Sequence, residues 1–265
     1  MNRRFYQQRW LQLLGGGVFL FAVTEQALLV TGNLNFVPTI MLLGAFVVPI
    51  TFVAYFYEHV RDRDISMPLL TSCFFVGGIV GLTTAGILEY ATLRSLSIPA
   101  LFGIALIEES AKLLFPIGMY LAWRYRHEAD GLLFGVAAGM GFAALETMGY
   151  GLVTLMQSQG DVSSLLQVLL IRGLLSPAGH AAWTGFVCAV LWRERERAQR
   201  PTLNLAVASA FALAVVLHAL WNILSSLDTQ STLHFVVFMA GLSGITIVSL
   251  TVVIRRYLES RKSLG

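Results

Sequence analysis

Charge is scarce in this chain. Asp, Glu, Lys and Arg make up 12% of its 265 residues, against about 25% in an average soluble domain, which excludes a water-soluble globule of ordinary composition. Cysteine is scarcer still. The two thiols, Cys73 and Cys188, both stand inside apolar stretches and cannot form the framework of a disulfide-stapled secreted domain. No low-complexity tract or long linker interrupts the chain, so one integral-membrane domain over residues 1–265 is expected. The excess of positive charge is only +3. Its longest basic stretch, Arg193 to Arg200, alternates with Glu194 and Glu196 and reads as a solvated helix end. Nucleic acid is therefore not an expected partner.

What the chain does have is apolar length. Hydrophobic residues are 56% of the total and the mean hydropathy is +0.72. Crossing the hydrocarbon core as a helix takes about 20 apolar residues, and eight such windows occur. They run Trp10–Thr31, Phe36–Tyr57, Leu69–Tyr90, Ile98–Trp123, Gly131–Met156, Leu165–Trp192, Leu203–Leu227 and Leu233–Ile254. The expected fold is all-α, a polytopic membrane protein of about eight transmembrane helices embedded in the lipid bilayer. The first window holds Glu25 and Gln26 and no small-residue cleavage site, so it reads as a retained helix.

Loop charge orients the bundle. Arg3, Arg4, Arg9, Arg61, Arg63, Arg124, Arg126, Arg193, Arg195, Arg197, Arg200, Arg255, Arg256, Arg261 and Lys262 are 15 of the 18 basic residues, and all fall on one side if the helices alternate. Only Arg94 falls in an opposite loop. Because basic loops stay cytoplasmic, both termini are expected in the cytosol.

Against this apolar background, Glu108, Glu109 and Lys112 stand in the middle of the fourth window. A charge at bilayer depth costs about 3 kcal/mol even on insertion scales. Spacings of three and four residues put Lys112 on one helix face with both carboxylates, yet one amine leaves one carboxylate over. An uncompensated carboxylate in low dielectric takes up a proton or finds a cation.

The remaining buried polar residues lie at a similar depth. Glu109 is 15 residues in from Arg124, Glu146 is 16 in from Asp130, His180 is 13 in from Arg193 and His218 is 17 in from Pro201. At about 1.5 Å per residue, four helices bring a Glu or a His to one level roughly 20–25 Å from the cytosolic edge, a little past the midplane. Glu146 follows the small residues Gly139, Gly141, Ala143 and Ala144, which let helices approach closely. The sixth window is broken by Pro177 and Gly179 just before His180, with Arg172 upstream; freed backbone groups there need protein or a water-filled cavity. Asn222 follows His218 by one turn on the same face, where an amide can orient a water or a carbonyl beside an imidazole. Glu25 of the first window has no partner at helical spacing and stays outside the site, so the candidates all lie in helices four to seven, residues 98–227.

Taken together, Glu108-Glu109 with Lys112, Phe142 with Glu146, and His218 with Asn222, beside the Arg172, Pro177 and His180 segment, resemble the motifs of the PrsW family of intramembrane proteases. That family shares a superfamily with CAAX prenyl proteases and bacteriocin-processing relatives. The resemblance implies hydrolysis of a peptide bond in or beside the membrane, in a membrane-anchored protein. It also implies site-1-type cleavage of an anti-sigma-factor-like substrate on the extracytoplasmic side, releasing a stress response, in a bacterial inner membrane.

Two chemistries fit the residues so aligned. In one, zinc is held by His180, His218 and a carboxylate, Glu146 or Glu109, and lowers the pKa of a bound water to about 7; Glu108 is then the general base and Lys112 keeps its neighbour ionised. In the other, no metal takes part, and Glu108 with a nearby histidine activates water while Asn222 serves as oxyanion donor. Two histidines and several carboxylates favour the first. Arg172 and Phe142 are read as supporting residues. No Ser or Cys has a base at a fixed spacing, which disfavours an acyl-enzyme route. The rival classes are a proton- or ion-coupled transporter and a CAAX-type prenyl-protein endopeptidase. Carriers usually show paired halves, and helices one to three have no counterpart of these motifs.

Overall fold

The computed structural model describes residues 8–60, 65–93, 97–227 and 231–263. Among them are ten α-helices and no strand: α1 (Arg9–Thr31), α2 (Val37–His59), α3 (Met67–Thr92), α4 (Ile98–Lys112), α5 (Leu114–Leu121), α6 (Glu128–Gln157), α7 (Val162–Leu175), α8 (His180–Ala198), α9 (Leu205–Ser225) and α10 (Thr232–Ser263). Of the basic loop residues used above to orient the bundle, Arg3, Arg4, Arg61, Arg63 and Arg94 lie outside the described residues.

The helix starts follow local chemistry. Ser97 accepts from the Ala100 amide, Asp161 from those of Ser163 and Ser164, and Asn204 from those of Ala206 and Val207, each satisfying donors that the first turn leaves open. α1 ends at Gly32, whose φ of +64° is the left-handed stop that glycine adopts without strain.

Among the described residues, seven helical stretches are long and apolar enough to cross a membrane. Two windows differ from an unbroken span. The fourth is two helices, α4 and α5, parted at Leu113, whose amide bonds Ser110 instead of continuing the α pattern. Pro116 lies just beyond and has no amide to return to Lys112, so the ladder is interrupted where the charged cluster ends. The sixth is α7, a short 3-10 turn at Ser176–Ala178 and α8, the break expected from Pro177 and Gly179.

The chain divides into two compact units. The first takes in the chain through His59 with Ala143–Pro177, and the second takes in Val60–Phe142 with the chain from Ala178 on. α6 contributes its first half to the second unit and its last half to the first. In the first unit, α2 packs on α1 and α7 around Leu28, Ile40, Met41, Leu165 and Leu169.

In the second unit, α4 packs on α3 and α9, and α8 on α9 and α10. Glycine spacing seats α8 on α6. A Cβ on Gly131 would stand 2.6 Å from the Cys188 carbonyl oxygen, one on Gly135 2.5 Å from that of Thr184, and one on Gly139 would strike that of His180. Gly141 faces the Phe74 carbonyl of α3 in the same way. Such backbone contact is how helices associate in lipid. Gly141→Ala is accordingly expected to lower stability by about 1–3 kcal/mol or more through overpacking. Gly149→Ala, which meets open space, is expected to be neutral or slightly stabilising. Thermal unfolding in detergent compares the two.

The polarity of this protein is inverted. Phe19, Val30 and Leu174 are exposed at 67%, 81% and 65%, while Lys112 is exposed at 1%. A bilayer solvates the first three and leaves the last to its neighbours.

Candidate active site

α4 delivers three charges to the interior of the second unit. Lys112 Nζ lies 2.8 Å from Glu109 Oε1 and 3.3 Å from Glu108 Oε2, the i+3 and i+4 pairing that the sequence spacing implies. α9 brings His218 to the same carboxylates. Its Nδ1 is 2.8 Å from Glu109 Oε1 and its Nε2 is 3.6 Å from Glu108 Oε2. The four side chains are all but closed to the outside, so their charges interact through low dielectric.

A carboxylate oxygen accepts and does not donate, so the 2.8 Å contact places the His218 proton on Nδ1, donated to Glu109. In the neutral ring Nε2 then carries the lone pair and faces Glu108. Glu109 Oε1 is shared between Lys112 and His218, and Glu108 is the carboxylate beside the free edge of the imidazole.

His180 is the first residue of α8. One of its ring nitrogens and a Glu108 carboxylate oxygen lie within 4.8 Å of each other, and its ring meets that of His218 edge-on at 5.6 Å. Phe142 of α6 stacks on His180 with centroids 5.6 Å apart and planes 29° apart. Its ring also stands 4.5 Å from Lys112 Nζ, a cation–π contact in a desolvated setting. The second unit thus brings together Glu108, Glu109, Lys112, Phe142, His180 and His218. Asn222 is half-buried one turn beyond His218.

In the first unit, Glu146 and Arg172 are partners. Arg172 Nη2 lies 2.7 Å from Glu146 Oε2, and its guanidinium covers the Tyr150 ring at 3.9 Å. The pairing joins α6 to α7 and compensates a charge at each. Ser110 donates to the Leu106 carbonyl from the exposed side of α4, and Ser176 donates to that of Gly173. Both hydroxyls are engaged by backbone. His127 pairs with Glu196 at 3.3 Å near the polar end of α8.

Two residues near the cluster escape a reading of charged motifs alone. Trp183 stacks on His218, and its indole N–H donates to Ser249 of α10. The spacing held a signal, since Trp183 follows His180 by three residues, as Trp221 follows His218; at helical period this puts each indole on the face of a site histidine.

A family model described as PrsW family intramembrane metalloprotease matches residues 66–252. The chain belongs to the PrsW family. The match covers α3 to α9 and most of α10, hence every candidate site residue, and leaves α1 and α2 outside. No curated protein and no solved structure matches the chain. As a PrsW-family protein it is an integral, multi-pass intramembrane protease, an endopeptidase whose substrate is embedded in the bilayer.

Membership implies a metal, and the residues fit one. Imidazole nitrogen and carboxylate oxygen are ligands that first-row divalent ions such as zinc accept. A Glu108 carboxylate oxygen within 4.8 Å of a His180 ring nitrogen puts a base beside an ion held at that nitrogen. The carboxylate behind His218 Nδ1 is the outer partner that ligating histidines usually have, leaving Nε2 for the ion.

Proposed function

We propose that this PrsW-family protein is a zinc-dependent, site-1-type protease. It cuts a membrane-anchored, anti-sigma-factor-like protein on the extracytoplasmic side of a bacterial inner membrane, with both of its own termini in the cytosol. The one-sided distribution of Lys and Arg and the depth of the motif residues support the orientation. The observation that carries the chemistry is the buried set of Glu108, Glu109, Lys112 and His218, with His180 beside it.

In this reading His180 Nδ1 or Nε2 and His218 Nε2 hold the ion. Glu146 is the third ligand on the strength of its motif with Phe142. Zinc, when bound, polarises the scissile carbonyl and lowers the pKa of water to about 7. Glu108 Oε2 accepts the proton of the attacking water and returns it to the departing amine. Glu109 holds the His218 tautomer through Nδ1, and Lys112 keeps Glu109 ionised beside the base. The Asn222 amide donates to the oxygen of the tetrahedral intermediate. Arg172 orients Glu146.

Elemental analysis of detergent-purified protein tests the metal. About one zinc per chain is expected, and its loss is expected in His180→Ala. Fully active protein with negligible zinc would assign water activation to Glu108 and a histidine alone. For the substrate, single-pass membrane proteins that accumulate in cells lacking this protein are the expected targets.

A further inference from the structure

Each of the two site histidines rests on an aromatic face supplied by another helix. His180 has Phe142, already part of a motif. His218 has Trp183, with centroids 4.9 Å apart and planes 26° apart, close to parallel stacking. Trp183 is 3% exposed, and its own orientation is fixed twice. Its N–H donates to Ser249 Oγ at 2.9 Å, and Trp221 meets it edge-on at 6.3 Å. Ser249, 2% exposed, belongs to α10, a helix that carries none of the charged motif residues.

Consider what holds the His218 ring. The bond from Nδ1 to Glu109 fixes one atom, but a ring pinned at one edge atom still tilts about that bond. A parallel aromatic face removes the tilt, because rotation drives the imidazole edge into the indole. The in-plane hydrogen bond and the stacking plane together determine where Nε2 points. An indole in turn keeps one face presented only if its N–H has a partner, since a buried donor left unsatisfied is strongly unfavourable. Ser249 is that partner.

We propose that Trp183, oriented by Ser249, is a positioning residue that fixes the plane of the His218 imidazole and so aims Nε2. Trp183 does not touch substrate; it acts through His218. The role of Nε2 rests on the reading above, whereas the clamp itself is a property of the fold. α10 thereby reaches the site through the Trp183 to Ser249 hydrogen bond, which gives the buried Ser249 hydroxyl its place in the fold.

The test uses the full-length protein in detergent micelles, with Trp183→Leu (no stack), Trp183→Phe (a stack without the N–H), Ser249→Ala (no anchor) and Ser249→Thr (anchor restored). The first measurement is the His218 ring resonances in histidine-labelled protein, identified by their loss in His218→Ala. The ring protons of His218 are expected to lose their aromatic upfield shift and broaden in Trp183→Leu. Ser249→Ala is expected to broaden them partly, while Trp183→Phe and Ser249→Thr stay near wild type. The second measurement is zinc affinity by competition with a chromophoric chelator. A loss of about 10–100-fold, the usual range for groups supporting a metal ligand, is expected in Trp183→Leu and a smaller one in Ser249→Ala. Unchanged ring resonances in both Trp183→Leu and Ser249→Ala would overturn the clamp. Absence of zinc binding in the wild type, with the resonance changes present, would overturn the metal reading and leave the clamp standing. If Trp183→Leu does not fold, Ser249→Ala against Ser249→Thr decides by the same resonances.

Discussion

Replacing Lys112 by Met is expected to destabilise the purified protein by about 3–5 kcal/mol, the usual consequence of removing one partner from a buried ion cluster. Lys112 is the shared cation of two carboxylates, 2.8 and 3.3 Å from its nitrogen, and its side chain is buried. Without it, adjacent carboxylates on one helix face oppose each other, and one must take up a proton. Under the proposed function the cluster is arranged for chemistry and not for stability, which gives a second expectation. The triple replacement Glu108→Gln, Glu109→Gln, Lys112→Met removes all three charges and is expected to recover most of the lost stability, because uncharging a whole buried cluster is often neutral, while remaining inactive. Thermal unfolding of the single and triple variants in detergent measures both. Equal stability of Lys112→Met and wild type would mean that the amine is not needed to compensate the carboxylates.

The second large effect is kinetic. Glu108→Gln keeps shape and removes the ability to accept a proton, so turnover is expected to fall by about 10²–10⁴-fold, the range for a positioned general base. KM should stay close to wild type, since the group acts on water in the transition state and not on substrate binding. Stability should change little, because the Gln carbonyl can still accept from Lys112. Glu109→Gln should instead loosen His218, whose Nδ1 loses its anionic acceptor. A quantitative immunoblot of substrate and product over time separates the two variants from wild type.

Much of this was legible in the sequence, and the reasons differ by residue. The Glu108, Glu109 and Lys112 pairing follows from helical period alone, and the proximity of His218 follows from depth counting, because a rigid helix converts residue number into height. The break before His180 is announced by Pro177 and Gly179. The break at Leu113 is harder to see. Pro116 stands in a long apolar run, and hydropathy does not register the missing amide that parts α4 from α5. The Arg172 to Glu146 pair joins α6 to α7, and no periodicity reports a contact between separate helices. The Trp183 to Ser249 bond is harder still, since it couples a tryptophan and a serine 66 residues apart, neither of which belongs to a charged motif.

The central claim is that buried Glu108 and His218 hydrolyse a peptide bond in a membrane protein. The direct measurement is cleavage of a purified single-pass substrate by this protein reconstituted in lipid, comparing wild type with Glu108→Gln and His218→Ala. The account predicts two fragments from wild type and intact substrate from both variants, with all three proteins inserted equally. Cleavage by both variants at the wild-type rate would contradict it.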